Sequence, residues 1–418
     1  TRLDSSRRLS EQFRGGFSRS TSPIWMDTST SRQCRKIEAA LGGPLNVCAR
    51  SGSIAIERFS GPQIRRFADE DPAAYSRTKR IHLVSSFLAS ILAGRDAPID
   101  YGDGAGMNLL NLETLEWDPE LLEATADGLL ERLPPARPSG TVVGPVADYF
   151  VERYGFASDV PVVAFTGDNP SSLVGMGAGA PGKVVLSLGT SDTLFAAIEK
   201  PLTDPAGYGH VFGNPLGGFM TLQCFLNGSL AREAVRDGLG MDWEAFSKVV
   251  AKTPPGNKGK RMLPFFGPEI SPRVDAGKLL LGGGLGTDWA KDPASARACV
   301  EGQFLNIRLR AEWMGLQAPV MYLTGGAASN DAISQIAADV FQAEVRRLEV
   351  ASSVALGGAL RAGLALEEIE ASDLETFFEK TLSRSRLSPD PATADRYAEA
   401  MEEVRQLQDE AGMLKKPL

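Results

Sequence analysis

Apolar and polar positions along this chain alternate between two periods. Short, mostly apolar runs at Val162 to Phe165, Val184 to Leu188, Met262 to Phe265 and Val320 to Leu323 have the length of buried strands, and Val345 to Leu348 reads as a further strand. Between them apolar residues recur at helical spacing, around Ile81–Leu92, in 227–238, 243–250 and 331–341, and over 294–315 with Val300, Phe304, Ile307 and Leu309 inward. Residues 208–222 alternate glycines and aromatics and predict a hairpin or loop. The small residues of 352–365 predict a helix that packs closely at the expense of propensity. In the first half the pattern predicts a short strand at Pro23 to Met26, ending at Asp27. A helix capped by Thr28 or Thr30 and closed by Gly42-Gly43 follows. A connector over 50–67 leads to another helix, and 121–133 reads as a helix stopped by Pro134-Pro135. Residues 142–154 read as a strand end and a helix, 100–108 as an acidic glycine-rich loop, and the polar, Arg-rich residues 1–20 as a loose arm or the cut edge of something longer. The fold class is therefore α/β, with no repeat of 20–50 residues.

The stretch 161–192 organises the rest. Its first apolar run ends in Thr166-Gly167-Asp168-Asn169-Pro170, its second in Gly189-Thr190-Ser191-Asp192. Two strands thus deliver polar loops at their carboxyl ends, where α/β sheets hold ligands. Asp168 is either a helix N-cap or a general base for a substrate hydroxyl, with Asn169 as a second polar contact. Gly189-Thr190-Ser191 is either a common turn or a backbone cradle for phosphate. The intervening Gly177, Gly179, Gly182 and Lys183 imitate a phosphate loop, but Val184 stands where Ser or Thr is needed and a strand follows where a helix is needed. They read as a connecting turn.

Outside this stretch, Thr324 to Asn330 follows a strand and precedes a helix. Gly325 and Gly326 let a flat ring approach the backbone, and Asn330 either bonds a base or caps the helix. Arg58 either binds a polar substrate or pairs with Glu57 or another acid. Asp27 and Asp103 are sugar or metal contacts, or surface acids. Trp243 is a packing residue or a base-stacking platform, and His82 a structural one.

Composition narrows the field. The 418 residues have room for two or three domains. A net charge of −8 without any basic run argues against a nucleic-acid binder, and no apolar run of about 18 residues predicts a membrane span. No signal peptide is read at the start, which is Thr1. Four widely spaced cysteines (34, 48, 224 and 299), without a CxxC pair, read as free thiols of a reducing, cytoplasmic compartment.

Taken in order, SPIWMDTSTSRQC, ERFSGPQI, IDYGDGAGMNLL, VVAFTGDNPSSL, VLSLGTSDTLF, LNGSLARE and TGGAASNDAISQIAADVF resemble the xylulose kinases of the FGGY carbohydrate kinase family over nearly the whole chain. The resemblance implies two actin-like (ribonuclease H-like) domains, each a mixed sheet flanked by helices around a cleft: a sugar-binding domain over 1–180 and a nucleotide-binding domain over 181–418. It implies ATP-dependent phosphorylation of the terminal hydroxyl of D-xylulose, with Mg2+. By position it implies Asp168 as the base, with Asp168, Asn169 and Arg58 holding the sugar. Gly189 and Thr190 would lie by the ATP phosphates, Gly325, Gly326 and Asn330 at adenosine, and Trp243 beside the adenine. The family's leading Asp-x-Gly-Thr phosphate loop and its Gly-Gln-His segment have no counterpart, so the first domain is expected to lack its leading strands and no metal ligand is assigned. The expected consequence is weak binding and poor turnover. The partners expected are a sugar and ATP, neither nucleic acid nor membrane, with a homodimer left open. Two alternatives stand beside this reading: a kinase of the same family for ribulose, glycerol or gluconate, and a non-catalytic actin-like nucleotide-binding protein.

Overall fold

A computed structural model describes residues 3–413 apart from 317, 349, 351, 383 and 384. Its centre is a mixed seven-stranded sheet. The strand Lys183–Leu188 lies inside it, parallel to Val320–Thr324 and antiparallel to Asp192–Ile198. On one side the sheet continues from Val320–Thr324 through Glu344–Arg347 to Arg386–Leu387. On the other it continues through Phe219–Phe225 to His210–Gly213, the expected hairpin. The inner strands are buried on both faces, and Lys183–Leu188 accordingly reads as a mostly apolar run.

Helices cover both faces. The helix Ser295–Arg310 runs through one core, and nearly all its residues are buried, polar ones included. Those polar groups are paired: Arg297 with Glu301 and the Tyr397 hydroxyl, Gln303 with the carbonyls of Asn227 and Gly228. On the other face, Asp168–Gly175 crosses Ser353–Ala365 at near-contact distance. A Cβ on Gly175 would stand 1.9 Å from the Ser353 carbonyl oxygen, and one on Gly357 1.8 Å from that of Ser171. Hydroxyls seal the crossing, Ser171 Oγ donating to the Val354 carbonyl at 2.8 Å.

Among the described residues the first half carries only two-stranded pieces, Ile99–Asp100 beside Ala136–Arg137 and Val142–Pro145 beside Pro161–Val163. Three local expectations fail here. Pro23 to Met26 form no strand: the chain turns, and Ile24, Trp25 and Met26 stand exposed. Residues 101–106 form a short helix, not a loop, because the buried Asp100 caps it by accepting the Asp103 N–H at 2.9 Å. Residues 121–133 divide into Pro119–Thr125, capped by Asp118, and a 3-10 turn at Leu130–Arg132. Two details also differ. Thr30 precedes the helix Ser31–Ala40 without capping it, since its hydroxyl bonds the Glu57 carbonyl. The described part of the leading arm holds a helical turn, Leu9–Gln12, and packs Phe13 on Phe87. No helix among the described residues is long and apolar enough to cross a membrane, and all four cysteines are free.

Candidate active site

The parallel pairing of Lys183–Leu188 with Val320–Thr324 ends both strands at one edge, so their polar loops meet there. Gly325, at φ +89°, lies so close to the end of the neighbouring strand that a Cβ would stand 2.3 Å from the Leu188 carbonyl oxygen. The Gly189-Thr190 turn is braced from behind. Ser229 N donates to the Gly189 carbonyl at 2.9 Å, and a Cβ on Gly228 would stand 2.7 Å from the Thr190 carbonyl. Beneath it, Arg232 grips both oxygens of Asp192 at 2.9 Å, each side chain only 1% exposed. Outward, the turn is open: Thr190, Gly325 and Gly326 are exposed, and a Cβ on Gly326 would meet nothing within 4 Å.

Asn330 joins this edge to the next helix. Its Oδ1 caps Asp331–Phe341 by accepting the N–H groups of Ala332 and Ile333, and its Nδ2 donates to Ser247 Oγ at 2.5 Å. Ser247 lies on the helix Trp243–Lys252 and bonds the Trp243 carbonyl. Trp243 is 42% exposed, with Phe246 at its edge and the Arg236 guanidinium 4.4 Å from its ring centroid. Gly189, Thr190, Gly325, Gly326, Asn330 and Trp243 thus form one continuous edge.

A second group forms around Asp168. Gly167 is the N-cap, so Asp168 is the first helical residue rather than the cap. Its carboxylate accepts the Asn169 N–H at 2.7 Å, and both residues are exposed. The short helix Tyr101–Gly106 wedges beside them: a Cβ on Gly102 would stand 3.0 Å from Pro170 and 3.1 Å from the Gly213 carbonyl. Gly213 ends the strand that His210 begins, and Arg58 adds its charge to the environment of that histidine. Burial, then Arg58, pushes His210 down to about 4, so it stays neutral, bonded to Ser53 at 3.0 Å. Arg58 itself is exposed and, among the described residues, forms no ion pair, with Glu57 or otherwise.

Asp100 and the counter-charge Arg361 were passed over in the sequence; Asp103, a candidate sugar or metal contact there, lies with them. Asp100 is fully buried and pushed up by that burial, opposed by the Ser139 hydroxyl. Asp103 is pushed up to about 7 by burial and then by Asp100. Arg361, buried in Ser353–Ala365, donates to the Ser139 and Ala164 carbonyls and faces both acids. The signal was a single arginine in a helix of small residues, which needs a partner if that helix packs closely.

Residues 21–175 match the N-terminal domain, and 184–366 the C-terminal domain, of the FGGY family of carbohydrate kinases. The chain belongs to this family: it is a carbohydrate kinase with the two-domain actin-like fold. It is 41% identical over 410 residues to xylulose kinase of Rattus norvegicus, covering 95% of this chain and 76% of that protein. It is also 41% identical over 377 residues to xylulose kinase 2 of Arabidopsis thaliana, covering 86% and 67%. A ligand-bound xylulose kinase structure from Lactobacillus acidophilus shares the fold at a TM-score of 0.79 and 21% identity, over 93% of this chain and 79% of that one.

Proposed function

We propose that this chain transfers the terminal phosphate of ATP to the terminal hydroxyl of D-xylulose, with Asp168 as general base. The observation that carries the substrate is the 41% identity, over 95% of the chain, to a protein named xylulose kinase. The site is consistent with the roles. Asp168 is an exposed carboxylate at a helix start beside Asn169, suited to take a proton from a sugar hydroxyl as its oxygen accepts the phosphoryl group. Arg58, unpaired and near His210, supplies a donor for sugar oxygens.

The nucleotide fits the opposite group. The open turns at Gly189-Thr190 and Gly325-Gly326 offer uncovered backbone to phosphates and adenosine, Asn330 lies beside them, and the free part of Trp243 suits an adenine. ATP supplies the phosphoryl group. Mg2+ belongs to the proposal with ATP. Among the described residues no cluster of three or more His, Cys, Asp or Glu is set to hold a metal, so no side chain is assigned to it and no step is drawn through it. A sugar-side domain over 1–180 and a nucleotide-side domain over 181–418, meeting at the Gly177–Gly182 turn, and a cytoplasmic location complete the reading.

The test is a rate comparison on D-xylulose, D-ribulose, glycerol and D-gluconate with ATP. D-xylulose should lead in kcat/KM by at least about tenfold. Asp168→Asn should lower kcat by about 10²–10⁴ while ATP binds as before. Preference for another acceptor, or a retained rate in Asp168→Asn, overturns the reading.

A further inference from the structure

The head of the Asp168 helix has an unusual neighbour. Several helices here are capped by an N-cap side chain, as by Asp118, Asp242 and Asn330. At Gly167 the side chain is missing although φ −67° and ψ 166° suit any residue. The reason is spatial: a Cβ there would stand 2.5 Å from Asp103 Oδ1. The space a Cβ would need is taken by a carboxyl group from another helix.

We propose that Asp103 is a positioning residue for phosphoryl transfer, its carboxyl setting the placement and proton affinity of Asp168 from across Gly167. The inference rests on the reading of Asp168 as the base. Asp103 is held from several sides. The Ser85 hydroxyl, from the helix Val84–Ala93, donates to its second oxygen. Its own N–H is bound by Asp100 at 2.9 Å, and Gly102 is wedged between Pro170 and Gly213. Swinging the carboxyl away from Gly167 would break its bond to Ser85. Asp103 is half-buried.

The charged groups that face it are Asp100 from its own turn, Asp168 from the opposed helix and Arg361 from Ser353–Ala365. Burial and Asp100 raise Asp103 to about 7, with Ser85 and Arg361 opposing, so it changes charge near neutrality. When ionised it sets a like charge against Asp168, which then holds a proton more tightly. Transfer of the sugar proton to Asp168 relieves that repulsion, so the ionised form speeds the step. The neutral form does not.

The experiment is the pH dependence of kcat for the full chain, Asp103→Asn and Ser85→Ala, with Asp168→Asn alongside. The parent should rise about tenfold between pH about 6 and 8, the effect of one like charge a few ångströms away, with its midpoint near 7. Asp103→Asn should stay flat at the lower level with an unchanged KM for ATP. Ser85→Ala removes a donor to the ionised form, so its midpoint should move to higher pH. An Asp103→Asn profile that rises like the parent's overturns the proposal. Should that variant fail to fold, an unmoved midpoint in Ser85→Ala does so. Loss of rate in Asp168→Asn with an unaltered Asp103→Asn profile sinks this inference alone, whereas a retained rate in Asp168→Asn removes the base and this inference with it.

Discussion

Arg232 and Asp192 are the residues whose removal should cost the fold most per atom. Both are buried, with two bonds of 2.9 Å between them and a third from Arg232 to Gln303 at 3.0 Å. Arg232→Leu leaves a buried carboxylate without its partner, and chemical denaturation should show a loss of about 3–5 kcal/mol. Gly325 is constrained differently. Its φ of +89° and the Leu188 carbonyl leave no place for a methyl group. Gly325→Ala should weaken ATP binding about tenfold, close to 1.4 kcal/mol, by calorimetry, with D-xylulose binding unchanged. At this scale the sequence was informative where a residue type is itself unusual: glycines after a strand, or a carboxylate opening a helix. It was silent on Asp192, which looks like the last letter of a turn, and on Arg361, whose acids lie far away in the chain.

Elements were legible where their period reflects burial on a regular face. The strand Lys183–Leu188 and the helix Asp331–Phe341 fall where their patterns put them. Pro23 to Met26 has strand-like composition but no neighbouring strand to pair with, and pairing rather than propensity makes a strand. In 101–106 three glycines argue against helix, yet the Asp100 cap and close packing of Gly102 on Gly213 outweigh propensity. The small-residue pattern of Ser353–Ala365 did signal close approach, and the crossing tests it one residue at a time. Gly357→Ala should cost about 1–3 kcal/mol or more, since its methyl would overlap the Ser171 carbonyl. Gly358→Ala meets only Ser171 Oγ at 3.9 Å and should gain up to about 1 kcal/mol from helix propensity. Paired thermal and urea melts separate the two.

Over the whole molecule, two titratable groups pull stability in opposite directions with pH. His210 sits at about 4 when folded, below its ordinary value of 6.5, so the unfolded chain binds more protons between those values and stability falls as pH drops through them. Asp103 sits at about 7 when folded, above 3.8, so the folded chain binds more protons and stability falls as pH rises from about 4 to 7. Asp103→Asn should therefore gain stability relative to the parent as pH rises through this window, reaching its full advantage above about 7. Denaturant midpoints at pH 5 and pH 8 check the sign, and equal differences at both would contradict it.

The sequence by itself determined the α/β class, the order of most elements and the two polar loops flanking the Gly177–Gly182 turn, because period, glycine placement and helix-start chemistry are local properties. It carried enough of the family's order to show a carbohydrate kinase. Only the tertiary structure decided that Gly325 lies against Leu188, that Asn330 reaches the Trp243 helix, and that Asp103 fills the space at Gly167. Those contacts depend on which strands run parallel and which helices cross, and no local pattern of residues encodes a neighbour that arrives from a distant part of the chain.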